Sequence, residues 1–218
     1  MTETLSSAEE FTRSLAEHAP RFDLRLEAAA VARLRAYYEL LATWNTRLHL
    51  VAPCSPQEFA TRHVLESLLA VEHMREGASV VDVGSGAGLP IIPCLILRPD
   101  LRSTLIESSK KKAVFLREAL RLVGSHERAL VVAERFEKTE APEAQYVTCR
   151  ALERFTEVFP VLLEWSPPES TLLLFGGESL RAEIERSALD FRAVHIPESE
   201  RRSLFVMKRE SPAASQNR

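Results

Sequence analysis

Residues 80–95, VVDVGSGAGLPIIPCL, decide the fold of this chain of 218 residues. Gly84, Gly86 and Gly88 are three of only seven glycines, and they lie between an aliphatic run and a helical one. A strand that ends in such a cluster and continues into a helix exposes backbone N–H groups beside the first helical turn, where the amides have no intrahelical partner. A ligand can lie against this bare backbone, so the stretch predicts a strand, a tight turn and a helix that together form a binding site.

Beyond residue 77 the chain alternates between short aliphatic runs and helical ones. Strands are predicted over residues 79–84, 103–108, 129–134, 146–151, 170–177, 192–197 and 203–209, and helices over residues 89–97, 110–123 and 159–165. This alternation favours right-handed crossovers and a mostly parallel sheet with helices on both faces. The last two strands are joined by a polar turn and are predicted to form an antiparallel hairpin at the sheet edge.

The N-terminal third has a different pattern. From about residue 7 to residue 75, apolar residues recur at helical spacing, and no strand-like alternation precedes Val80. We therefore predict an α/β protein with a seven-stranded Rossmann-like sheet and an N-terminal helical cap. The predicted boundaries are residues 1–75 for the cap, 76–210 for the α/β domain and 211–218 for a disordered tail.

Composition and charge argue against several classes of protein. The apolar fraction of 45% and the charged fraction of 27% are ordinary for a globular domain, and no apolar run approaches the roughly 20 residues of a membrane span. The start, MTETLSSAEEF, has neither the basic nor the apolar segment of a signal peptide, so we expect a cytoplasmic protein without a membrane partner. A net charge of −3 gives no global sign of nucleic-acid binding, so a phosphate-facing surface would have to be a local patch.

Two acidic residues accompany the glycine cluster. The dinucleotide fingerprint is Gly-x-Gly-x-x-Gly, whereas here the third glycine comes one residue early and Asp82 precedes the first by two residues. Asp82 favours a ligand with a positive charge, such as a sulfonium that carries an amino acid, over a pyrophosphate. Glu107 lies at the end of the next strand, where a carboxylate accepts hydrogen bonds from both hydroxyls of a ribose. Together these residues predict S-adenosylmethionine at the carboxyl ends of parallel strands; a nicotinamide oxidoreductase and a tight turn without a ligand are the alternatives.

The three cysteines, Cys54, Cys94 and Cys149, are far apart in the sequence and form no C-x-x-C pair. This spacing argues against a disulfide framework and a zinc site, and no metal site is predicted. Cys149 ends a predicted strand and could be a nucleophile for carbon methylation of a pyrimidine. A small residue that fills a strand end is the interpretation we favour.

The acceptor end of the predicted site is less defined. The chain lacks the Asp/Asn-Pro-Pro-aromatic tetrad that accompanies methylation of exocyclic amines, and it has VTCRAL in that place. Arg150 in this segment is predicted to point into the ligand crevice, where a guanidinium can bind a carboxylate, a phosphate or a guanine edge. The run from Lys110 to Lys112 is either a solvated helix face or part of a basic rim. His63 is either a packing residue or part of the crevice.

Six segments carry a resemblance to a known family. They are YYELLATWNTRLHLV (37–51), RHVLESL (62–68), VVDVGSGAGLPIIPCLILRPDLRSTLIESSKKKAVFL (80–116), RFE (135–137), VTCRAL (147–152) and RSLFVMKR (202–209). In order and spacing they resemble the bacterial small-subunit ribosomal RNA methyltransferase G family, also called glucose-inhibited division protein B, over roughly residues 25 to 209. The resemblance implies a class I methyltransferase fold, S-adenosylmethionine as the donor and N7 of a guanine in 16S rRNA as the acceptor. Guanine N7 has a lone pair and no proton, so this transfer needs no general base.

The resemblance also implies a role for each matching position. Gly84 and Leu89 would contact the methionine and ribose parts of the donor, and Phe136 and Glu137 would frame the adenine through their backbone. Arg150 would stand where donor and acceptor meet, and it is the predicted catalytic residue. The predicted donor-binding residues are Asp82, Gly84, Gly86, Gly88, Leu89, Glu107, Phe136, Glu137 and Arg150, and those predicted to bind RNA are His63, Lys110 and Arg154. The expected partner is 16S rRNA or the small ribosomal subunit, bound by a monomer.

Three positions depart from the family pattern. Gly176 stands where a lysine is expected at the end of the fifth strand, Glu66 replaces an aspartate, and His49-Leu50-Val51 replaces Asn-Leu-Thr. Loss of a cation at the mouth of an RNA site removes one phosphate or guanine contact, and Arg181 and Lys208 are candidates to replace it. Two alternatives stay open: a methyltransferase of this fold with another RNA or a small-molecule acceptor, and a donor-binding RNA-associated protein that has lost catalysis.

Overall fold

A computed structural model describes residues 6–150, 155–187 and 189–209 of the chain. The strands within these residues are β1 (Ser79–Val83), β2 (Arg102–Ile106), β3 (Ala129–Val132), β4 (Tyr146–Arg150), β5 (Thr171–Gly176), β6 (Phe191–His195) and β7 (Ser203–Lys208). They form one seven-stranded sheet in the order β3-β2-β1-β4-β5-β7-β6. The predicted α/β fold with a seven-stranded sheet is confirmed.

The first five strands are parallel, and the last two form a hairpin. β1 lies between β2 and β4, so the strand order reverses at this point. β7 runs antiparallel to β5, and β6 runs antiparallel to β7, which confirms the hairpin predicted at the sheet edge. In open α/β sheets, ligands bind beyond the carboxyl ends of the strands where the strand order reverses. The glycine turn that follows β1 lies at this position.

Helices precede the sheet and connect its strands. Before the sheet they are α1 (Ser7–His18), α2 (Ala28–Leu48), α3 (Pro56–Glu58) and α4 (Glu66–Leu68), with a π-helical segment (Phe59–Leu65) between α3 and α4 and 3-10 helices at Ala19–Phe22 and Leu69–His73. Between strands they are α5 (Ile91–Leu97), α6 (Lys110–Leu122), α7 (Phe155–Trp165) and α8 (Glu178–Arg186), with a 3-10 helix at Phe136–Lys138. The N-terminal third is therefore helical, as its periodicity predicts.

One of these helices, α8, has no counterpart among the sequence predictions. Its sequence, ESLRAEIER, contains only two large apolar residues, Leu180 and Ile184, so its periodic signal is weak. Residues four positions apart lie on the same helix face, and both are buried against the sheet. The predicted helix boundaries also differ, because α5 begins after the turn that contains Pro90 and α7 begins before Pro160.

Two apolar clusters cover the two faces of the sheet. One joins Val147 of β4 to Ile184 of α8 and to the buried side of α7. The other joins Val80 of β1 to α5 and α6 and continues to Leu34 of α2 and Phe11 of α1. The N-terminal helices therefore share a single apolar core with one face of the sheet.

Tyr37 links this helical layer to the glycine turn. Tyr37 belongs to α2, and its side chain is fully buried in the core. Its hydroxyl donates a hydrogen bond of 2.7 Å to the carbonyl of Ala87. A buried carbonyl that loses such a donor costs about 1–3 kcal/mol. The hydrogen bond therefore fixes the turn between β1 and α5 from the N-terminal side.

The described residues contain neither a membrane-spanning helix nor a cluster of metal ligands. No helix among them is long and apolar enough to cross a membrane. No three His, Cys, Asp or Glu side chains in the same part of the chain lie close enough together to hold a metal ion. The three cysteines form no disulfide there.

Candidate active site

The glycine turn connects β1 to α5 through left-handed backbone. Gly84, Gly86 and Gly88 have φ angles of 69°, 53° and 84°, a region that residues with a Cβ rarely adopt. The N–H groups of Gly84 and Ser85 both donate to the carbonyl of Ile106 at the end of β2, at 2.9 and 3.1 Å. The turn is therefore held against the neighbouring strand, with its backbone close to the space beyond the carboxyl ends of the strands.

A cavity of about 840 Å³ opens beside this turn. Most of the residues predicted to bind donor or acceptor line it: Gly84, Gly86, Leu89, Glu107, Phe136, Glu137, Arg150 and His63. The structure thus brings together residues at or after the carboxyl ends of four strands, β1 to β4, and from the helical layer. Three residues that were predicted to bind the donor or RNA are not part of the cavity wall: Asp82, Gly88 and Lys110.

Glu107 belongs to both the turn and the cavity. Its carboxylate accepts the N–H of Gly86 through Oε2 at 2.8 Å and the N–H of Ser109 through Oε1 at 2.7 Å. The side chain is only 6% exposed, and it lines the cavity. Each carboxylate oxygen accepts more than one hydrogen bond, so Glu107 can fix the loops and still accept two hydroxyl groups from a ligand.

Asp82 is buried below the turn and away from the cavity wall. The hydroxyl of Thr148 on β4 donates to Asp82 Oδ1 at 2.7 Å, and Oδ2 has no hydrogen-bond partner among the described residues. Burial raises the pKa of Asp82 to about 7, against the hydrogen bond from Thr148. The predicted direct contact with a cationic ligand is therefore corrected: this carboxyl is enclosed between two strands.

Gly88 serves the packing of the helices and does not form cavity wall. A Cβ at this position would lie 2.3 Å from Ile92 Cδ1 and 3.2 Å from Leu116 Cδ2. The missing side chain therefore lets α5 and α6 approach the turn closely. The glycine cluster has two functions, since Gly84 and Gly86 face the cavity and Gly88 faces the core.

Lys112, and not Lys110, contributes the lysine to the cavity wall. Ser109 caps α6 by accepting the N–H of Lys112, which sets the rotation of the helix at its first turn. Residues two positions apart on an α-helix differ by about 200° in direction, so Lys110 and Lys112 cannot face the same space. The lysine run in the sequence pointed to this helix end, but it did not distinguish its members.

Residues that follow β3 form the opposite end of the cavity. Phe136 is buried, and its ring packs edge-on against Trp165 of α7 at a centroid distance of 5.4 Å. Glu137 lies beside it and accepts a hydrogen bond of 3.1 Å from the Arg135 side chain. The 3-10 helix at Phe136–Lys138 therefore holds its backbone in a fixed position at the cavity edge.

The guanidinium of Arg150 is bound by the protein and not directed at open space. Nη1 donates to the Ser67 hydroxyl at 3.2 Å and to the His63 carbonyl at 3.4 Å. Nη2 donates to Glu66 Oε2 at 3.2 Å and to the carbonyl of Arg62. Arg150 lines the cavity, but its terminal donors join the end of β4 to the π-helical segment. The expectation that it forks onto a ligand is corrected, because those donors already have partners.

His63 faces the cavity from the π-helical segment. Its Nδ1 is buried and has no hydrogen-bond partner among the described residues. Burial, together with the neighbouring Arg150, lowers the pKa of His63 to about 3. The imidazole is therefore neutral at physiological pH and acts as a polar neutral group, not as a cation for phosphate.

A wall that sequence reasoning did not assign to the site lies in the loop after α2. Leu50, Val51 and Ala52 line the cavity. The Asn45 side chain holds this loop in place, because its Oδ1 accepts the Val51 N–H at 3.0 Å and its Nδ2 donates to the Val51 carbonyl at 3.1 Å. His49 ends α2 with a left-handed φ of 48°. That helix end is the one local signal that could have placed a defined loop here.

α7 covers the remaining side. Glu157, Val158 and Val161 line the cavity, and Val161 is 43% exposed although it is apolar. Arg154, predicted to bind RNA, lies outside the described residues. Cys149 is fully buried in the apolar core and is not part of the cavity wall, as expected of a residue that fills a strand end.

The carboxyl end of β5 has little space for a side chain at Gly176. A Cβ there would lie 2.5 Å from Leu180 Cδ2 and 2.9 Å from Leu180 Cβ. The two candidates for a replacement cation have other contacts: Arg181 of α8 lies over the ring of Phe205, and Lys208 pairs with Thr171 at the opposite end of the strand. Neither lines the cavity, and Lys208 is at the wrong end of β5.

Comparison with known proteins identifies the family. The family model described as rRNA small subunit methyltransferase G matches residues 30–207. A protein named Ribosomal RNA small subunit methyltransferase G from Gluconobacter oxydans is 35% identical over 167 residues, 75% of this chain and 83% of that protein. One of the same name from Xanthomonas axonopodis pv. citri is 40% identical over 160 residues, 73% of this chain and 74% of that protein.

Solved structures of lower identity agree on the fold. An RNA methyltransferase from Salinibacter ruber, in complex with S-adenosyl-L-homocysteine, matches with a TM-score of 0.55 and 18% identity over 74% of this chain and 95% of that one. The mitomycin 7-O-methyltransferase matches with a TM-score of 0.59 and 17% identity over 93% of this chain and 69% of that one. With a family match over most of its length, the chain belongs to the rRNA small subunit methyltransferase G family.

Proposed function

We propose that this chain transfers the methyl group of S-adenosylmethionine to N7 of a guanine in 16S ribosomal RNA. The observation that carries the proposal is one cavity at the point where the strand order reverses, with Gly84, Gly86 and Glu107 at one part of its wall and His63 at another. Membership of the family supports the reaction and the class of acceptor.

The residues of the cavity fit this donor. Gly84 and Gly86 have no Cβ, so an amino acid moiety can approach their backbone. Glu107 keeps lone pairs for the two ribose hydroxyls, and Phe136 and Glu137 offer backbone groups beside a purine. When bound, S-adenosylmethionine supplies a methyl group activated for displacement.

The reaction needs alignment and not proton removal. N7 of guanine offers its lone pair directly, and His63, with a pKa of about 3, is a poor base at neutral pH. In-line displacement depends on holding two reactants at the correct distance and angle, which a fixed wall provides. We propose that Arg150 contributes by holding the wall that carries His63, and that Lys112, Lys110 and Arg154 provide cations for RNA phosphates.

The proposal also includes an oligomeric state and a cellular location. We propose that the chain works as a monomer in the cytoplasm, where 16S rRNA or the assembling small ribosomal subunit is its partner. Light scattering of the purified chain tests whether it is a monomer, because a monomer has a mass of 24.5 kDa. A mass of twice this value would refute it.

The function is tested with 16S rRNA from a strain that lacks its own methyltransferase of this family. Incubation with the purified chain and S-adenosylmethionine, followed by nucleoside mass spectrometry and reverse-transcription mapping, should reveal 7-methylguanosine at one position. A different methylated nucleoside, or methylation of a small molecule only, would refute the acceptor assignment.

Calorimetry with S-adenosylmethionine and with NAD separates the remaining alternatives. Binding of the first alone is expected. Tight donor binding without methyl transfer to any 16S rRNA preparation would instead favour a protein that has lost catalysis, the alternative suggested by Gly176. Binding of NAD alone would reject the methyltransferase assignment.

A further inference from the structure

A cluster of charges centred on a buried carboxylate lies beside the cavity and joins three separate elements. Glu66, the first residue of α4, is 2% exposed. Its Oε2 accepts from Arg150 Nη2 at 3.2 Å and from Arg202 Nη1 at 3.0 Å, and its Oε1 lies 2.7 Å from Arg202 Nη2. Arg150 ends β4, and Arg202 immediately precedes β7. We call these three residues the Arg-Glu-Arg cluster.

Arg202 is the member that no ligand in the cavity can explain. It is not part of the cavity wall, whereas Arg150 is. Its guanidinium forms two contacts with Glu66 and one with the hydroxyl of Ser199. A whole buried ion pair can often be replaced by apolar side chains with little loss of stability, whereas removing one partner is destabilising, so the pair is weak evidence for stability and we consider its effect on geometry instead. The contacts of Arg202 reach the cavity through Glu66, and its charge also contributes to lowering the pKa of His63.

The path from Glu66 to the cavity runs through Arg150 and the π-helical segment. Glu66 orients the guanidinium of Arg150, which donates to the carbonyls of Arg62 and His63. The Glu66 N–H itself bonds to the Thr61 carbonyl, the wide spacing that defines the π-helix. A π-helical turn is rare and is frequently found at functional sites, and here Arg150 donates to two of its carbonyls.

His63 is the residue that this arrangement presents to the cavity. Its backbone carbonyl is held by Arg150, and its ring packs on Phe59 at a centroid distance of 5.2 Å. The buried Nδ1 of the imidazole has no hydrogen-bond partner among the described residues, so the direction of the ring depends on its packing against Phe59 and on the backbone that carries it. A change in the π-helical turn would rotate the ring away from the acceptor.

We infer that Arg202 is a positioning residue for methyl transfer: through Glu66 and Arg150 it fixes the π-helical turn that presents His63 to the acceptor. The inference rests on the proposed function for its kinetic consequence. Its structural consequence, the placement of the His63 ring, does not depend on which acceptor is used.

The test compares Arg202→Met, which removes the charge and keeps an unbranched stem, with Arg202→Lys, which keeps the charge and loses the fork. Arg128→Met is the matched control. Arg128 is half-buried, donates to the carbonyls of Leu95 and Leu101, and does not line the cavity. Glu66→Leu removes both acceptors of the same link at its other end and keeps an apolar side chain, and it serves if Arg202→Met does not fold.

Three measurements are made on the full chain. ¹⁵N-histidine NMR, with His63 assigned through His63→Asn, should show shifted imidazole signals in Arg202→Met and unchanged signals in Arg128→Met. Single-turnover methylation of saturating 16S rRNA should fall about 10- to 100-fold in Arg202→Met and recover in part in Arg202→Lys. The Kd for S-adenosylmethionine should stay within about twofold of the wild-type value.

Unchanged His63 signals in folded Arg202→Met, or in Glu66→Leu where that variant replaces it, would overturn the inference. So would a fall in single-turnover rate no larger than that of Arg128→Met, or a parallel loss of donor affinity, because a purely structural role predicts these results. If the wild-type chain does not methylate 16S rRNA, the proposed function fails, and the imidazole comparison alone decides the role of Arg202.

Discussion

Replacing Glu107 with alanine is expected to weaken S-adenosylmethionine binding about 100-fold. In the proposed complex the carboxylate accepts one hydrogen bond from each ribose hydroxyl, and hydrogen bonds to a charged group contribute about 1.5–3 kcal/mol each. In the variant, water forms hydrogen bonds to the ribose hydroxyls in place of the carboxylate. The net loss of binding free energy is therefore about 3 kcal/mol. At about 1.4 kcal/mol per tenfold change, the Kd rises about 100-fold.

The same carboxylate holds the loops, so the assay must separate ribose recognition from loosening of the turn. Glu107 accepts the N–H groups of Gly86 and Ser109, and both lose their partner in the alanine variant. Calorimetry with S-adenosylhomocysteine and with its 2′,3′-dideoxy analogue makes the separation, because the analogue has no hydroxyls for the carboxylate to bind. Its affinity should fall far less than that of the parent ligand.

Glu134→Ala is the matched control for this experiment. Glu134 also lines the cavity with an exposed carboxylate, which accepts the neighbouring N–H of Arg135 and bridges no separate loops among the described residues. We expect its Kd to change less than about threefold, or about 0.7 kcal/mol. Equal affinity of wild type and Glu107→Ala for S-adenosylmethionine, or an equal loss for the dideoxy analogue, would refute the ribose role.

Three further variants test other parts of the structure. Because burial raises the folded pKa of Asp82 to about 7 from 3.8, the unfolded chain ionises first and stability should fall between about pH 4 and pH 7. Asp82→Asn should remove that fall in urea unfolding, and an unchanged pH profile would contradict it. Tyr37→Phe should cost about 1–3 kcal/mol, because the carbonyl of Ala87 loses its donor; an unaltered melting temperature would refute this. Gly176→Lys should lower the melting temperature, since its Cβ meets Leu180, and adding Leu180→Ala should recover part of the loss. Full stability of the single variant would contradict the steric reason.

Local patterns were sufficient for the sheet and for the donor side of the cavity. The glycine turn, the acidic end of β2 and the alternation of strands with helices are short-range signals, and they predicted the mostly parallel sheet and its edge hairpin, although not the order of the strands. Gly84, Gly86 and Glu107 lie at strand ends, and the carboxyl ends of parallel strands meet at one edge of the sheet. Their position in the cavity could therefore be predicted from their position in the sequence.

Weak local signals explain what was missed. α8 has two large apolar residues in nine, and its helix forms because Leu180 and Ile184 are buried against the sheet. Lys112 and Lys110 are chemically identical, and only the rotation of α6 on its cap decides which one faces the cavity. The loop that contains Val51 is held in the cavity wall by the Asn45 side chain, which binds the Val51 backbone. No residue spacing in the sequence predicts this contact.

What the sequence by itself determined is the sheet, the glycine turn and the carboxylate beside it, because these depend on contacts between residues that are close along the chain or on neighbouring parallel strands. Only the tertiary structure decided that Arg150 binds Glu66, that Arg202 reaches the same carboxylate from a distant strand, and that Asp82 is enclosed. A charged side chain in a sequence has many partners within reach, and burial selects among them because an unpaired charge is costly away from water. That selection depends on how the helical layer packs on the sheet, and no local pattern encodes it.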